Sequence, residues 1–276
     1  MIKFSSIAAR FFAMAMACAA PGAGVRAQTG ASDWSDANLA AARLIASGGL
    51  KHGQYQAGVE IRLKGASHTY WRNPGDSGAP PIFRFDGSRN LAAARVRYPA
   101  PRRIGEDGLD IFGYLGSVVF PVEATPVDPK MPVELVLDLQ YAACERICVP
   151  AEAHATLALS PGDPSTALAA EIAKAMDSIP RPMGSGDPAP RVARAPNADK
   201  PTWMVRFDPP LAPDVDAFAA APDNWFFTTR RDGDTIALTL EQSPSDASAP
   251  VAVDLTLVGP SGAFETSVTI DPRAGR

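Results

Sequence analysis

Cysteine and histidine are scarce in this 276-residue chain, limited to Cys18, Cys144 and Cys148 and to His52, His68 and His154. The histidines are scattered, so a four-ligand zinc site of the usual Cys/His kind has little to draw on. No Gly-x-Gly-x-x-Gly, phosphate loop or His-Glu-x-x-His occurs, which removes the common sequence grounds for nucleotide binding or zinc hydrolysis. Basic excess is missing too: 26 Lys and Arg stand against 30 Asp and Glu, a formal charge of −4. Nucleic acid and anionic lipid surfaces are therefore poor partners. After the first residues, no stretch approaches the ~18 uninterrupted apolar residues of a membrane span. The 27 prolines argue against a helix bundle, because proline breaks helix interiors.

The N-terminus has the marks of an export signal. Lys3 and Arg10 supply positive charge, Phe11 to Ala20 is apolar, and Val25-Arg26-Ala27 ends in a small-x-small-like cleavage site. The expectation is a signal peptide over 1–27 and an exported chain starting at Gln28. Cys18 falls inside the signal. A lipid-modified Cys18 is disfavoured because Ala15-Met16-Ala17 lacks the usual leucine.

The rest of the chain is rich in short β patterns. Tyr55–Leu63 alternates, with Val59, Ile61 and Leu63 opposite Glu60 and Arg62. Ser117–Ala124, Val133–Tyr141 and Val149–Leu159 are clear strands, and Pro81–Phe85 and Leu91–Tyr98 are β-prone. His68–Trp71 is a further strand that runs into turn formers over 73–81. Ile104–Tyr114 reads as a loop. Ser165–Ser178 has helical spacing, with Leu168, Ile172, Ala175 and Met176 in one stripe and Asp163 or Ser165 as cap. Pro180–Pro196 reads as a linker. Beyond it lies a second β region, with strands such as Trp203–Phe207, Thr235–Leu240, Val251–Leu257 and Phe264–Ile270. The pattern predicts an all-β fold: a β-sandwich over 28–160, a short helix and linker over 161–200, and a second, smaller β-rich domain over 201–276.

The chemistry concentrates in Tyr141–Pro150, Tyr-Ala-Ala-Cys-Glu-Arg-Ile-Cys-Val-Pro. An oxidising compartment favours pairing of Cys144 with Cys148. A disulfide needs Cα atoms within roughly 7 Å, whereas four steps of extended strand cover about 13 Å. Glu145-Arg146-Ile147 must therefore turn or coil. A ring this small adds little stability and is better suited to exchanging electrons. Other readings stay open: a local structural disulfide, two buried thiols, or a soft-ion site in which Cys144 and Cys148, with His154 or Met131, hold Cu(I). A Cys148–His154 dyad is a poor fit, since an extended strand would separate the two by about 20 Å. Trp71 fits simple packing. Phe112 and Tyr114, in the polar glycine-containing stretch Gly105–Gly116, fit either packing or a role beside the cysteines.

The order and spacing of several pieces carry a resemblance. They are Tyr70-Trp71-Arg72-Asn73-Pro74-Gly75-Asp76-Ser77-Gly78 with Pro80-Pro81, Tyr98-Pro99-Ala100-Pro101, Gly113-Tyr114-Leu115-Gly116 leading to Pro121, and the cysteine segment itself. From about Arg43 to Leu159 the chain resembles the N-terminal periplasmic domain of DsbD-type thiol:disulfide interchange reductases, in their ScsB-like, copper-sensitivity-suppressor branch. The resemblance implies an immunoglobulin-like sandwich with the redox pair at one end. It also implies a cap loop shielding the pair, here within Ile104–Tyr114, with Phe112 and Tyr114 as candidates. Cys148 would attack a partner's disulfide and Cys144 would resolve the mixed disulfide, with no cofactor. The implied partners are thioredoxin-like periplasmic proteins and a DsbD/CcdA-like membrane electron donor. Full members of the family also carry membrane helices and usually a C-terminal thioredoxin-like domain, which these residues do not include. The expectation is a standalone soluble periplasmic chain served by a separate membrane reductase; the alternatives are a copper-binding or copper-tolerance factor using the same thiols, and a non-catalytic interaction module with a structural disulfide. The cysteines of the best-known members are also more widely spaced.

Overall fold

The computed structural model describes residues 30–273 except 107, 197, 246 and 248; the signal segment 1–27 and Cys18 lie outside them. Eleven strands form the first half: β1 (Ser35–Asp36), β2 (Ala40–Ala46), β3 (Tyr55–Leu63), β4 (His68–Gly75), β5 (Ile82–Arg84), β6 (Leu91–Val96), β7 (Arg102–Glu106), β8 (Leu109–Leu115), β9 (Ser117–Pro126), β10 (Val133–Cys144) and β11 (Cys148–Leu159). They make two facing sheets. One has the order β1-β2-β3-β9-β6; the other runs β11-β10-β4-β8-β7, with β5 also on β10. All the pairings in these two sheets are antiparallel.

Alternation explains the layers. Along β10, Val133, Leu135, Leu137, Leu139 and Tyr141 are buried while the residues between them are less so, and β11 repeats the pattern with Ala151, Ala153, Ala155, Leu157 and Leu159. These faces meet Leu44, Val59, Ile61, Phe120 and Val122 of the opposite sheet in one core. A period of two places every second side chain between the sheets. The protein is all-β, and this half is an immunoglobulin-like sandwich.

The α-helix of the described residues, α1 (Ala169–Asp177), lies against the outer face of the first sheet, where Ile172 and Ala175 meet Ile45 and Val119. Neither Asp163 nor Ser165 caps it. The Leu168 N–H donates to Thr166 Oγ1, and that hydroxyl donates in turn to the Ala46 carbonyl, so the helix start is tied to the sandwich.

The second half contains β12 (Arg181–Pro182), β13 (Ala189–Arg194), β14 (Thr202–Asp208), β15 (Asp216–Ala220), β16 (Phe226–Asp232), β17 (Thr235–Gln242), β18 (Val251–Gly259) and β19 (Gly262–Ile270). They form two sheets, ordered β12-β19-β18-β15 and β13-β14-β17-β16, around Trp203, Val205, Phe227, Leu238, Val253, Leu255 and Ile270. The stretch 180–196, expected as a linker, supplies β12 and β13. Both are edge strands, and an edge tolerates Pro182 and Pro190 because no ladder bond is demanded of one side.

β15 serves both halves. Its Ala217 and Ala219 face the second core, while Phe218 and Ala220 belong to the first. A strand that is buried on both faces joins the two packed bodies.

Candidate functional site

The β10–β11 hairpin closes on the cysteines. Its register runs without a break from Val133↔Leu159 to Cys144↔Cys148, so the two cysteines are the last facing pair before the turn Glu145-Arg146-Ile147. Their Cα atoms are 4.1 Å apart and the sulfurs form a disulfide. The turn required by the sequence spacing is present, and Ile147 stands 75% exposed at its tip.

The two sulfurs sit in unlike surroundings. Cys144 is 1% exposed, because β4 adds itself beside β10 at this point through the pairing Cys144↔His68. Cys148, on the outer strand of the sheet, is exposed. Cys144 shares a small apolar cluster with Tyr70, Ile111, Ile104 and Ala142, separate from the core between the two sheets.

Tyr70 completes the site. Its ring is buried, and its hydroxyl lies 2.9 Å from Cys144 Sγ and 3.1 Å from Cys148 Sγ. A disulfide carries no proton, so the phenol is the donor. His68 packs edge-on to that ring at 5.3 Å, and Thr69 Oγ1 donates to the Ala142 carbonyl at 2.8 Å, fixing β4 against β10. The turn after β4 folds back over the phenol. A Cβ added at Gly78 would stand 2.1 Å from Tyr70 Cε1, and Gly78 has φ +111°. Gly78→Ala should therefore meet both steric overlap and backbone strain, with an expected loss of about 1–3 kcal/mol. Thermal unfolding measures that loss, and the accessibility of the disulfide to a small thiol should rise with it.

Phe112 and Tyr114 lie elsewhere. The segment expected to be a loop is the β7–β8 hairpin, paired from Arg102↔Gly113 to Glu106↔Leu109. Phe112 and Tyr114 alternate with Ile111 and Gly113, so they face the inter-sheet core while Ile111 faces the cysteine side. Phe112 packs on Phe218 at 5.0 Å and under the Arg103 guanidinium at 4.8 Å. Tyr114 donates to the Pro99 carbonyl at 2.9 Å and packs against Phe120. Burial pushes the Tyr114 hydroxyl well above its ordinary range, with nearby Tyr98 adding to the shift and Arg72 opposing it; it stays a neutral donor at physiological pH. Among the described residues, the side chain hydrogen-bonded to the sulfurs is Tyr70 instead. Its alternation with Trp71 was legible, but which face looks toward the cysteines depends on the β4–β10 pairing, which the sequence does not display.

The other residues weighed as copper ligands are not gathered here. His154 sits opposite Asp138, well down β11, and hydrogen-bonds to that carboxylate. Met131 precedes Val133, at the far end of β10 from Cys144. Among the described residues, no group of three or more His, Cys, Asp or Glu side chains is placed to share a metal ion.

A β-sandwich with a hairpin-closed cysteine pair, one cysteine exposed and one buried, and a tyrosine hydroxyl against both sulfurs, defines a recognisable class of site. Residues 39–160 match the family model described as "Thiol:disulfide interchange protein DsbD, N-terminal", and this part of the chain is a DsbD-type N-terminal domain. The whole arrangement is ScsB-like in fold. It superposes on the N-terminal periplasmic domain of ScsB from Proteus mirabilis with a TM-score of 0.68, covering 88% of this chain and 99% of that one at 19% identity. The likeness extends beyond the matched segment to the second half of the chain. No curated protein matches the sequence. No helix among the described residues is long and apolar enough to cross a membrane.

Proposed function

We propose that this protein is a periplasmic thiol–disulfide exchange protein that relays electrons through Cys144 and Cys148 from a membrane reductase to thioredoxin-like partners. The observation that carries the reading is the asymmetry of the pair: Cys148 is an exposed residue on the outer strand, and Cys144 is buried where β4 pairs beside it. The family match over residues 39–160 supports it.

The exchange balances in two displacements. In the reduced protein the Cys148 thiolate attacks one sulfur of the partner's disulfide; a Cys148–partner disulfide forms and the partner's other sulfur leaves as a thiolate. Cys144, as its thiolate, then attacks Cys148 Sγ. The Cys144–Cys148 disulfide forms, and the partner leaves with its second thiolate. Two electrons have passed to the partner, which takes up two protons from solvent. The membrane reductase restores the pair by the same steps in reverse, as a reduced dithiol that becomes oxidised. Tyr70 holds its O–H beside both sulfurs, where it stabilises whichever one carries negative charge; hydrogen bonds to charged groups are the strong ones. Copper tolerance would use the same thiols as Cu(I) ligands and needs no displacement.

The test mixes the reduced protein with an oxidised thioredoxin-like protein and quantifies thiols in each. One partner disulfide reduced for each Cys144–Cys148 pair oxidised is the expected result. No transfer, together with stoichiometric Cu(I) binding through both thiols, would replace the relay with the metal reading.

A further inference from the structure

The ladder between β4 and β8 breaks just after the phenol that touches the disulfide. Tyr70 pairs with Gly113, and the next partners are Gly75 and Ile111. The intervening residues of β4 leave the ladder as a bulge, a device that re-aims side chains next to sites. Each residue at its start reaches the second sandwich. Trp71 packs edge-on to Phe218 of β15 at 6.2 Å. Arg72 forms ion pairs with Glu265 of β19 and Asp254 of β18. Asn73 is buried, and its Nδ2 donates to the Ala219 carbonyl at 2.6 Å and the Phe227 carbonyl at 3.1 Å. Its Oδ1 accepts from the Gly75 N–H at 3.1 Å.

The turn above Tyr70 is linked to the same body through two residues of the first sandwich, Asp110 and Arg103. The Asp76 N–H donates to the Asp110 carbonyl at 2.9 Å, and the Asp110 N–H donates to Asp76 Oδ2 at 2.8 Å. The Asp110 carboxylate takes the Arg103 guanidinium at 2.7 Å, and Arg103 also donates to both oxygens of Asp216, at 2.8 and 3.1 Å. From Asp76 the turn runs on to Gly78, which lies against the Tyr70 ring. Tyr70 is therefore followed by a bulge whose polar partners lie within residues 219–265, and it is covered by a turn that reaches Asp216 indirectly, through Asp110 and Arg103.

We infer that the second sandwich is a positioning device for the redox pair: by anchoring the Trp71–Gly75 bulge and the 76–78 turn, it sets Tyr70 on the two sulfurs and so tunes their exchange. Stability alone does not require this arrangement. A buried amide such as Asn73 must find partners or carry a desolvation cost, and an apolar residue would pack without that demand. Asn73 instead fixes one backbone geometry, and Tyr70 is three positions before it on the same strand. Asn73 and Arg72 are positioning residues, acting through Tyr70.

This inference rests on the Cys144–Cys148 site described above but needs no protein partner for its test. The full chain carries Asn73→Asp, which keeps the acceptor for the Gly75 N–H and places an oxygen against the Ala219 and Phe227 carbonyls. A second variant, Glu265→Gln, removes the charge facing Arg72 at a part-exposed position and should fold. For each, the disulfide is equilibrated against glutathione, and its rate of reduction by dithiothreitol is followed. Misplacing a reacting constellation by an ångström costs up to ~100-fold, so a change on the order of tenfold is expected for Asn73→Asp and about threefold for Glu265→Gln. In a Tyr70→Phe background both effects should collapse to within about twofold, since residues acting through one group are non-additive. Wild-type redox values in a folded Glu265→Gln chain, or equal shifts with and without the phenol, would overturn the inference. Failure of transfer to a thioredoxin-like protein would bear on the relay alone and leave these measurements standing.

Discussion

Reduced Cys144→Ser, mixed with an oxidised thioredoxin-like protein, is expected to accumulate a covalent adduct through Cys148, and Cys148→Ser to accumulate none. The reason is access. Disulfide exchange is a displacement in which the attacking thiolate must approach the bond it breaks, and reactive cysteines sit in partly exposed surroundings. Cys148 lies at the outer strand of its sheet with Ile147 exposed beside it, while Cys144 is buried beneath β4. In Cys144→Ser the first displacement proceeds and the second has no nucleophile, so the adduct persists. In Cys148→Ser the remaining thiol is the covered one, and the rate falls to background. Turn charges do not decide the order: Arg146 favours a neighbouring thiolate and Glu145 opposes it. Non-reducing electrophoresis with mass spectrometry of the adduct reads the result. Adducts from Cys148→Ser and none from Cys144→Ser would reverse the roles, and adducts from neither would remove the relay.

The strands around the cysteines were the most legible part of the sequence. Val133–Tyr141 alternates except at Val136, which suggests cover on both sides, yet one face of it is buried and the other less so; the turn between Cys144 and Cys148 came from bond geometry alone. The β7–β8 hairpin was hidden for a physical reason. Ile111, Phe112, Gly113 and Tyr114 are all buried, since one face of β8 meets the inter-sheet core and the other the cysteine cluster. A strand covered on both sides loses its alternation, and Gly105, Gly108 and Gly116 around it read as loop. Gly113 is there because a Cβ would lie 2.1 Å from the Thr69 carbonyl oxygen. Tyr70 was hidden differently: the strand was visible, but the neighbour that gives its phenol a purpose is distant in sequence. The prolines of 180–196 misled because sequence does not reveal which strands are edges.

The largest stability effect is expected at the seam between the two halves, from Phe218→Ala. Phe218 rises from β15 into the first core, edge-on to Phe112 at 5.0 Å and to Trp71 at 6.2 Å, with the Arg103 guanidinium 5.4 Å from its ring. Truncating a fully buried phenylalanine costs about 3–5 kcal/mol, from lost transfer energy and the cavity left behind. Arg103→Ala removes the cation that Asp110 and Asp216 share, together with bonds to the Ala217 carbonyl and Thr229 Oγ1. Breaking a buried ion pair by removing one partner costs ~3–5 kcal/mol. Asp110 and Asp216 keep 47% and 37% exposure and regain water, which brings the expected loss to roughly 2 kcal/mol. Because Arg103 and Phe218 touch, the double variant should lose less than the sum. The wild-type halves share β15 and a continuous apolar contact, so calorimetry should show one transition, and Phe218→Ala should resolve it into two as the second sandwich unfolds apart from the first. Two transitions already present in the wild-type chain, with less than about 1 kcal/mol lost in Phe218→Ala, would mean that the seam contributes little and that each sandwich stands on its own core.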